Sequence, residues 1–207
     1  MAKNIASLRL SRPLMFRLVA MAIGFVAMAI AGFSAVAGCQ ESQKSAPSPA
    51  YWPRFVSGFA TSILAHESAH ILTAYALGAH PHIGLDHGRP TIFSGIDSRV
   101  YPHKQFLFSA SGLTTQALIN EAILDIPHSR GGALERGVLA GGIATTLFYI
   151  TLGRNGSVSD VSFMARTTSL SKTQISLIFG SVSAIQALRI CRNPRYDHFF
   201  IRPSSDG

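Results

Sequence analysis

The sequence predicts a mainly α-helical bundle embedded in a membrane, with a small β-hairpin between the first two core helices. Hydrophobic residues make up 47% of the 207 residues and charged residues only 14%, well below the roughly 25% charged fraction of a soluble domain. After residue 54, four apolar stretches are long enough to cross a bilayer or nearly so. Glycine and proline cluster between the first two stretches and mark a connection rich in turns.

Residues 1–39 are predicted to be a signal peptide or an N-terminal membrane anchor. Basic residues precede and enter an apolar run from about 14 to 37 that ends in small residues, as in a signal peptide. The run is also long enough to span a bilayer uncleaved, and this anchor is favoured because the remaining chain is apolar too. Residues 36–39 resemble a bacterial lipoprotein box with Cys39 as the lipidated residue. The predicted location is a bacterial inner membrane.

Residues 40–54 are polar and rich in serine, proline and alanine, which predicts a flexible linker. The helices of the following domain, 55–190, are predicted at about residues 55–79, 105–126, 132–152 and 173–190. Residues 191–207 form a basic C-terminal tail, as expected beside lipid headgroups.

The connection between the first two helices is predicted to contain a β-hairpin. Within residues 80–104, the segments 83–85 and 91–93 are short and strand-like, and glycine and proline lie around them.

The positive charge points to membrane lipid and not to nucleic acid. The formal net charge is +8, and the residues before position 55 contribute six Lys and Arg against one Glu. The other basic residues are scattered and form no stripe that a nucleic acid would need. The two cysteines, Cys39 and Cys191, provide no disulfide framework.

The most informative motif is the HExxH sequence from His66 to His70, which lies in an apolar stretch. Residues four apart share one side of a helix, so His66 and His70 are predicted to fill two of four positions around Zn²⁺. Glu67 lies beside this pair, where it would be the catalytic base toward a zinc-activated water. The alternative is that both histidines are ordinary helix residues satisfied by hydrogen bonds, although burying them without a partner is costly.

The continuation of this motif resembles the site-2 protease-like family of intramembrane zinc metallopeptidases. The resemblance rests on Ala74 and Gly78, which follow His70 at the family's spacing. It implies an intramembrane helical fold, bound Zn²⁺ and cleavage of membrane-associated peptides. It also implies that an aspartate from a later helix, within an Asp-Gly motif, is the third metal ligand.

The second family motif, Gly-Pro-x-x-Asn, has an altered counterpart in Gly112-Leu-Thr-Thr-Gln116. Independently of the family, Ser109, Gly112, Gln116 and Asn120 recur at helical spacing and form a polar face. Gln116 and Asn120 are therefore predicted to position the substrate. The alternative is that they form hydrogen bonds between helices.

Asp160 is the predicted third metal ligand. The only Asp-Gly pair, Asp206-Gly207, lies at the end of the chain, whereas Asp160 opens a segment compatible with a helix, from 161 to 168. Asp160 would alternatively cap that helix. Glu121 and Asp125 are the other candidates, at the end of the second core helix.

Other metal sites are less well supported by the sequence. His80, His82 and His87 cluster after the first helix and would bind a second metal or simply remain solvated. The longer HExxHxxGxxH pattern is excluded, because Thr73 and Ala76 occupy its glycine and third histidine positions.

Together these observations predict a membrane-embedded zinc metallopeptidase with membrane lipid and a membrane-associated peptide or protein as partners. One alternative is a membrane protein that binds zinc without catalysis. Another is an envelope lipoprotein anchored through Cys39.

Overall fold

The computed structural model describes residues 49–86, 89–128, 131–156 and 158–196. The predicted N-terminal segment with Cys39, most of the linker and the end of the tail lie outside these residues. The helices are α1 (Tyr51–Ala76), α2 (Pro102–Asp125), α3 (Ala133–Ile150), α4 (Asp160–Thr167) and α5 (Lys172–Arg192). Two short 3-10 helices, Gly153–Asn155 and Pro194–Tyr196, follow α3 and α5, and the strands are β1 (His82–Asp86) and β2 (Arg89–Phe93).

The predicted helical class and the hairpin are both confirmed. The largest boundary difference is at the start of α1, which begins at Tyr51, inside the predicted linker. Pro53 suggested a linker, but it lies in the first turn of α1, where a helix does not need the backbone N–H that proline lacks. At the other end, α1 stops before Gly78, whose φ of 73° is a left-handed conformation that favours glycine.

Helices α1 and α3 approach very closely through glycines on both sides. A Cβ atom added to Gly58 would lie 1.9 Å from the Leu134 carbonyl oxygen, and one added to Gly137 would lie 2.0 Å from the Phe55 carbonyl oxygen. Gly137 and Gly141 form a GxxxG pattern, which allows close backbone contact between membrane helices. This contact fixes α1, which carries the HExxH motif, against α3.

The other elements surround this helix pair. Helix α2 packs against α1, α4 packs against α2, and α5 packs against α3 and α2. An apolar cluster joins α2, α4 and α5, and its buried members are Leu113, Val161, Met164 and Ile175. Helix α5 begins with a capping box in which Ser171 and Gln174 each bond to the other's backbone N–H.

The hairpin is a two-stranded antiparallel sheet in which His82 pairs with Phe93 and Asp86 with Arg89. The His82 ring stacks on the Phe93 ring with a centroid distance of 5.2 Å. Lys104 Nζ donates a hydrogen bond of 2.9 Å to the Leu77 carbonyl oxygen, which ties the start of α2 to the end of α1.

The first residues of the predicted C-terminal tail are integrated into the bundle. Tyr196 is buried, and its hydroxyl donates to Glu135 near the start of α3. Arg136 Nη2 donates a hydrogen bond of 3.2 Å to the Arg195 carbonyl oxygen. These contacts fasten the end of α5 to the start of α3.

The described residues bury many polar side chains and expose many large apolar ones. The buried polar side chains include His66, His70, Gln105, Ser109, Gln116, Asn120, Arg136, Asp160 and Gln186. The exposed large apolar side chains include Val56, Leu64, Leu72 and Tyr75 on α1 and Leu177, Ile178, Ile185 and Leu188 on α5. Within the described residues, α5 is the one helix long and apolar enough to cross a membrane, judged by length and composition, with a mean hydropathy of 1.4.

Candidate metal centre

Helix α1 directs both motif histidines into the interior. His66 is fully buried and His70 is 4% exposed, because their face of α1 lies against α2 and α3. Their Nε2 atoms are 3.1 Å apart. This distance confirms that the spacing of four residues places both imidazoles at one point.

Hydrogen bonds at the other ring nitrogen set the state of each imidazole. His66 Nδ1 lies 3.0 Å from Gln116 Oε1, and His70 Nδ1 lies 2.7 Å from the Phe108 carbonyl oxygen. A carbonyl oxygen only accepts hydrogen bonds, so Nδ1 donates in both contacts. In the neutral rings, both Nε2 atoms therefore present lone pairs toward each other.

Gln116 is itself held in one orientation. Its Nε2 donates hydrogen bonds of 3.1 Å to both the carbonyl oxygen and Oγ of Ser62. These bonds identify the amide nitrogen, so Oε1 must be the atom that faces His66. A partner of this kind fixes the tautomer of a metal-binding histidine.

Asp160 is brought to the two histidines by the start of α4. Its Oδ2 lies 3.3 Å from the Nε2 atoms of both His66 and His70. The helix cap is Ser159, and Asp160 is the first residue of α4. Oδ2 is buried and has no hydrogen-bond partner in the described part of the chain.

The charge of Asp160 also favours a cation. A carboxylate oxygen that faces two imidazole lone pairs is costly to bury without a positive charge between them. A bound metal ion would remove this cost.

The spacing of these three atoms fits a metal ion. Donor atoms about 2.0–2.1 Å from a tetrahedral zinc ion are roughly 3.3 Å apart, and the three observed separations are 3.1, 3.3 and 3.3 Å. Among the described residues, His66, His70 and Asp160 are the one group of three or more His, Cys, Asp or Glu side chains that could hold a metal ion. The residues therefore lie close enough to bind one.

Gly112 lets α2 approach the two imidazoles closely. A Cβ atom added to Gly112 would lie 2.6 Å from the Nε2 atoms of both His66 and His70. It would also lie 2.6 Å from Cε1 of His66, so a side chain at this position would displace the rings. The glycine of the altered family motif thus has a steric reason at the centre.

Aromatic rings flank both imidazoles. The Tyr149 ring lies 5.1 Å from the His66 ring and is nearly parallel to it, with an interplanar angle of 16°. The Phe108 ring lies 4.8 Å from the His70 ring at an angle of 36°. Each imidazole therefore has a carbonyl acceptor at Nδ1 and a flanking Tyr or Phe ring, and Ser111 Oγ also lies 3.3 Å from His70 Nδ1.

The other predicted site residues occupy different positions. Glu67 is partly buried beside the histidines, and its carboxylate makes no hydrogen bond or ion pair within the described residues. Asn120 lies one helical turn beyond Gln116 and donates a hydrogen bond of 3.1 Å to Gln186 Oε1. Substrate positioning by Gln116 and Asn120 stays a prediction, although Gln116 now has a structural partner in His66.

The alternative ligands lie elsewhere. Glu121 and Asp125 both form ion pairs with Arg189 of α5. His80 and His82 are exposed near the hairpin, and His87 is outside the described residues. No second metal-binding group is found in the part of the chain that the structure describes.

Some residues that contact the two histidines belong to no sequence motif. The Phe108 carbonyl and the Tyr149 ring come together with the histidines only through helix packing. The position of Ser62 is predictable from the sequence, because Ser62 lies four residues before His66 and thus on the same face of α1. The GxxxG pattern of Gly137 and Gly141 was also readable in the sequence.

Comparison with known proteins finds no matching family model, and no curated protein or solved structure matches the chain significantly.

Proposed function

We propose that this protein is a membrane-embedded zinc metallopeptidase that hydrolyses peptide bonds of membrane-associated substrates. The observation that carries the proposal is the buried triangle of His66 Nε2, His70 Nε2 and Asp160 Oδ2, whose separations are 3.1 to 3.3 Å. All three atoms face one point, and Oδ2 makes no hydrogen bond within the described residues.

The donor set fits zinc and argues against magnesium and calcium. Two imidazole nitrogens and one carboxylate oxygen are typical of catalytic zinc sites, which keep a fourth position for water or substrate. Magnesium and calcium prefer sites made of oxygen ligands. The contacts at Nδ1 match the outer hydrogen bonds that orient zinc-bound histidines.

Glu67 is the proposed catalytic base. Zinc in such a site acts as a Lewis acid toward the substrate carbonyl and the attacking water. Glu67 would accept a proton from that water and deliver it to the nitrogen of the leaving amine. Its carboxylate is available for this role, because no described side chain pairs with it.

The distribution of polarity supports the membrane setting. The interior contains the metal-ligating triad and several amides, while leucine, isoleucine and valine side chains are exposed along α1 and α5. Polar side chains in membrane helices face the interior of the bundle in the same way. Helices α1, α2 and α3 are also proposed to enter the bilayer, in addition to α5, which meets the length and composition criteria.

The substrate class follows from this setting and from the resemblance of the motif His66 to Gly78 to the site-2 protease-like family. A peptide must reach a centre that lies inside the helical bundle. We therefore infer that the substrate is a membrane-spanning or membrane-adjacent segment.

The decisive experiment measures zinc content and cleavage of a model membrane peptide for the purified parent protein and three variants. Glu67→Gln should retain zinc and lose cleavage by a factor of roughly 10² or more, because a general base is lost. Asp160→Asn should lose zinc and cleavage together. The control Asp125→Asn should retain both, because Asp125 pairs with Arg189 away from the centre.

The outcomes separate three possibilities. A parent protein without zinc would refute the metal centre. A parent protein that binds zinc but cleaves no membrane peptide would support the non-catalytic alternative. Undiminished cleavage by Glu67→Gln would contradict the assignment of the base.

A further inference from the structure

Tyr149 lies beside the centre and is used by neither the motifs nor the proposed chemistry. It lies in the last turn of α3, and its ring is nearly parallel to the His66 ring at a centroid distance of 5.1 Å. Tyrosine at this position has no counterpart in the HExxH pattern. The Tyr149 ring therefore contacts a proposed metal ligand directly.

The hydrogen bond of His66 leaves one motion of its ring unrestrained. Gln116 Oε1 holds Nδ1, and the proposed metal lies at Nε2. Both contacts lie in the ring plane, so neither strongly opposes a tilt of that plane. A flat side chain packed against the ring face opposes this tilt directly.

Tyr149 also connects the two sides of the centre. It packs against the apolar cluster that includes Leu113 and Val161, and Val161 directly follows Asp160 in α4. A change at Tyr149 is thus transmitted to the helix that carries the third ligand. The Phe148 ring meets Tyr149 edge-on at 5.6 Å and restricts it from another side.

We propose that Tyr149 is a positioning residue for the metal ligand His66, and that its ring sets the zinc affinity and ligand geometry of the centre. This inference rests on the proposed function, since it requires that His66 bind zinc. The aromatic ring performs the role, and the hydroxyl group is not needed for it.

The test compares Tyr149→Phe, which keeps the ring, with Tyr149→Leu, which removes it. Zinc dissociation constants are measured by competition with a chromophoric chelator on the full chain in detergent, well below the unfolding temperature. Tyr149→Phe should remain within about twofold of the parent, whereas Tyr149→Leu should bind zinc roughly 10- to 100-fold more weakly, as for lost outer partners of metal ligands. Tyr75→Leu is the matched control, because Tyr75 is exposed on α1.

A geometric readout accompanies the affinity. The visible absorption of the Co²⁺-substituted protein should be unchanged in Tyr149→Phe and altered in Tyr149→Leu, since these bands depend on ligand geometry. Should Tyr149→Leu not fold, Tyr149→Met replaces it, because methionine is flexible and fills irregular space.

Two results would overturn the inference. Parental zinc affinity and Co²⁺ spectra in the Leu and Met variants would show that the ring does not position His66. An equal loss of affinity in Tyr149→Phe would assign the effect to the hydroxyl. Failure of the parent protein to bind zinc would instead refute the proposed function and is recognised separately.

Discussion

Gly112 shows how one residue without a side chain supports the whole centre. A Cβ atom at this position would collide with both imidazoles, because it would lie 2.6 Å from each Nε2 atom. This steric demand arises from the close approach of α2 to the two rings.

We expect Gly112→Ala to abolish zinc binding while the helical content is retained. The added Cβ would lie 2.6 Å from both Nε2 atoms, so the imidazoles must move away from each other or the ion must be excluded. Gly132→Ala is the matched control, since a Cβ there meets nothing within 4 Å. Stoichiometric zinc in purified Gly112→Ala would contradict this account of the centre.

Gln116 provides a second test of how a single residue supports the centre. Gln116→Leu removes the acceptor for His66 Nδ1 and the donor to Ser62, and we expect the zinc dissociation constant to rise roughly 10- to 100-fold. Gln116→Glu keeps an acceptor oxygen and should restore most of the affinity. A substrate-positioning role alone predicts a different result, in which KM rises while zinc affinity is unchanged.

The sequence was sufficient to predict the three candidate ligands, but not all of the residues that contact them. His66 and His70 are four residues apart in one helix, so local geometry alone predicts their convergence. Asp160 was chosen from its position after α3, and the structure brings it to both histidines. Tyr149 and the Phe108 carbonyl reach the site through packing between helices, which no spacing along the chain encodes.

At the scale of elements, the contact between α1 and α3 positions the HExxH helix. Gly58, Gly137 and Gly141 let the two backbones meet with almost no side chains between them. The helical periodicity and the hairpin were predictable from local patterns. The start of α1 was not, because Pro53 is compatible with both a linker and a first helical turn.

We expect Gly137→Ala to destabilise the bundle by about 1–3 kcal/mol or more, as for other overpacked interiors. Its Cβ would lie 2.0 Å from the Phe55 carbonyl oxygen, and a backbone atom cannot rotate away. Gly180→Ala on α5 is the control, because its Cβ meets only the flexible end of Ile150 at 3.0 Å. Thermal unfolding in detergent measures both, and an unchanged midpoint for Gly137→Ala would show that α1 and α3 are not in close contact.

Among the described residues, many polar side chains are buried and many large apolar ones are exposed, and the proposed membrane setting predicts a depth for the centre. Trp52 is the single tryptophan and is 46% exposed near the start of α1. Tryptophan is enriched at membrane interfaces. His66 is fourteen residues further along α1, about 21 Å at 1.5 Å per residue. If Trp52 lies at the headgroups and α1 runs near the bilayer normal, His66 would lie close to the middle of a bilayer about 40–45 Å thick including its headgroup regions.

Fluorescence quenching by brominated lipids tests this depth. In reconstituted vesicles, we expect Trp52 to be quenched most by lipids brominated near the headgroups. In a Trp52→Phe background, Leu64→Trp should be quenched most by lipids brominated deep in the acyl chains, because Leu64 is 65% exposed and two residues from His66. Quenching of both tryptophans by aqueous iodide, without an effect of bromine, would place α1 outside the bilayer while leaving the metal centre intact.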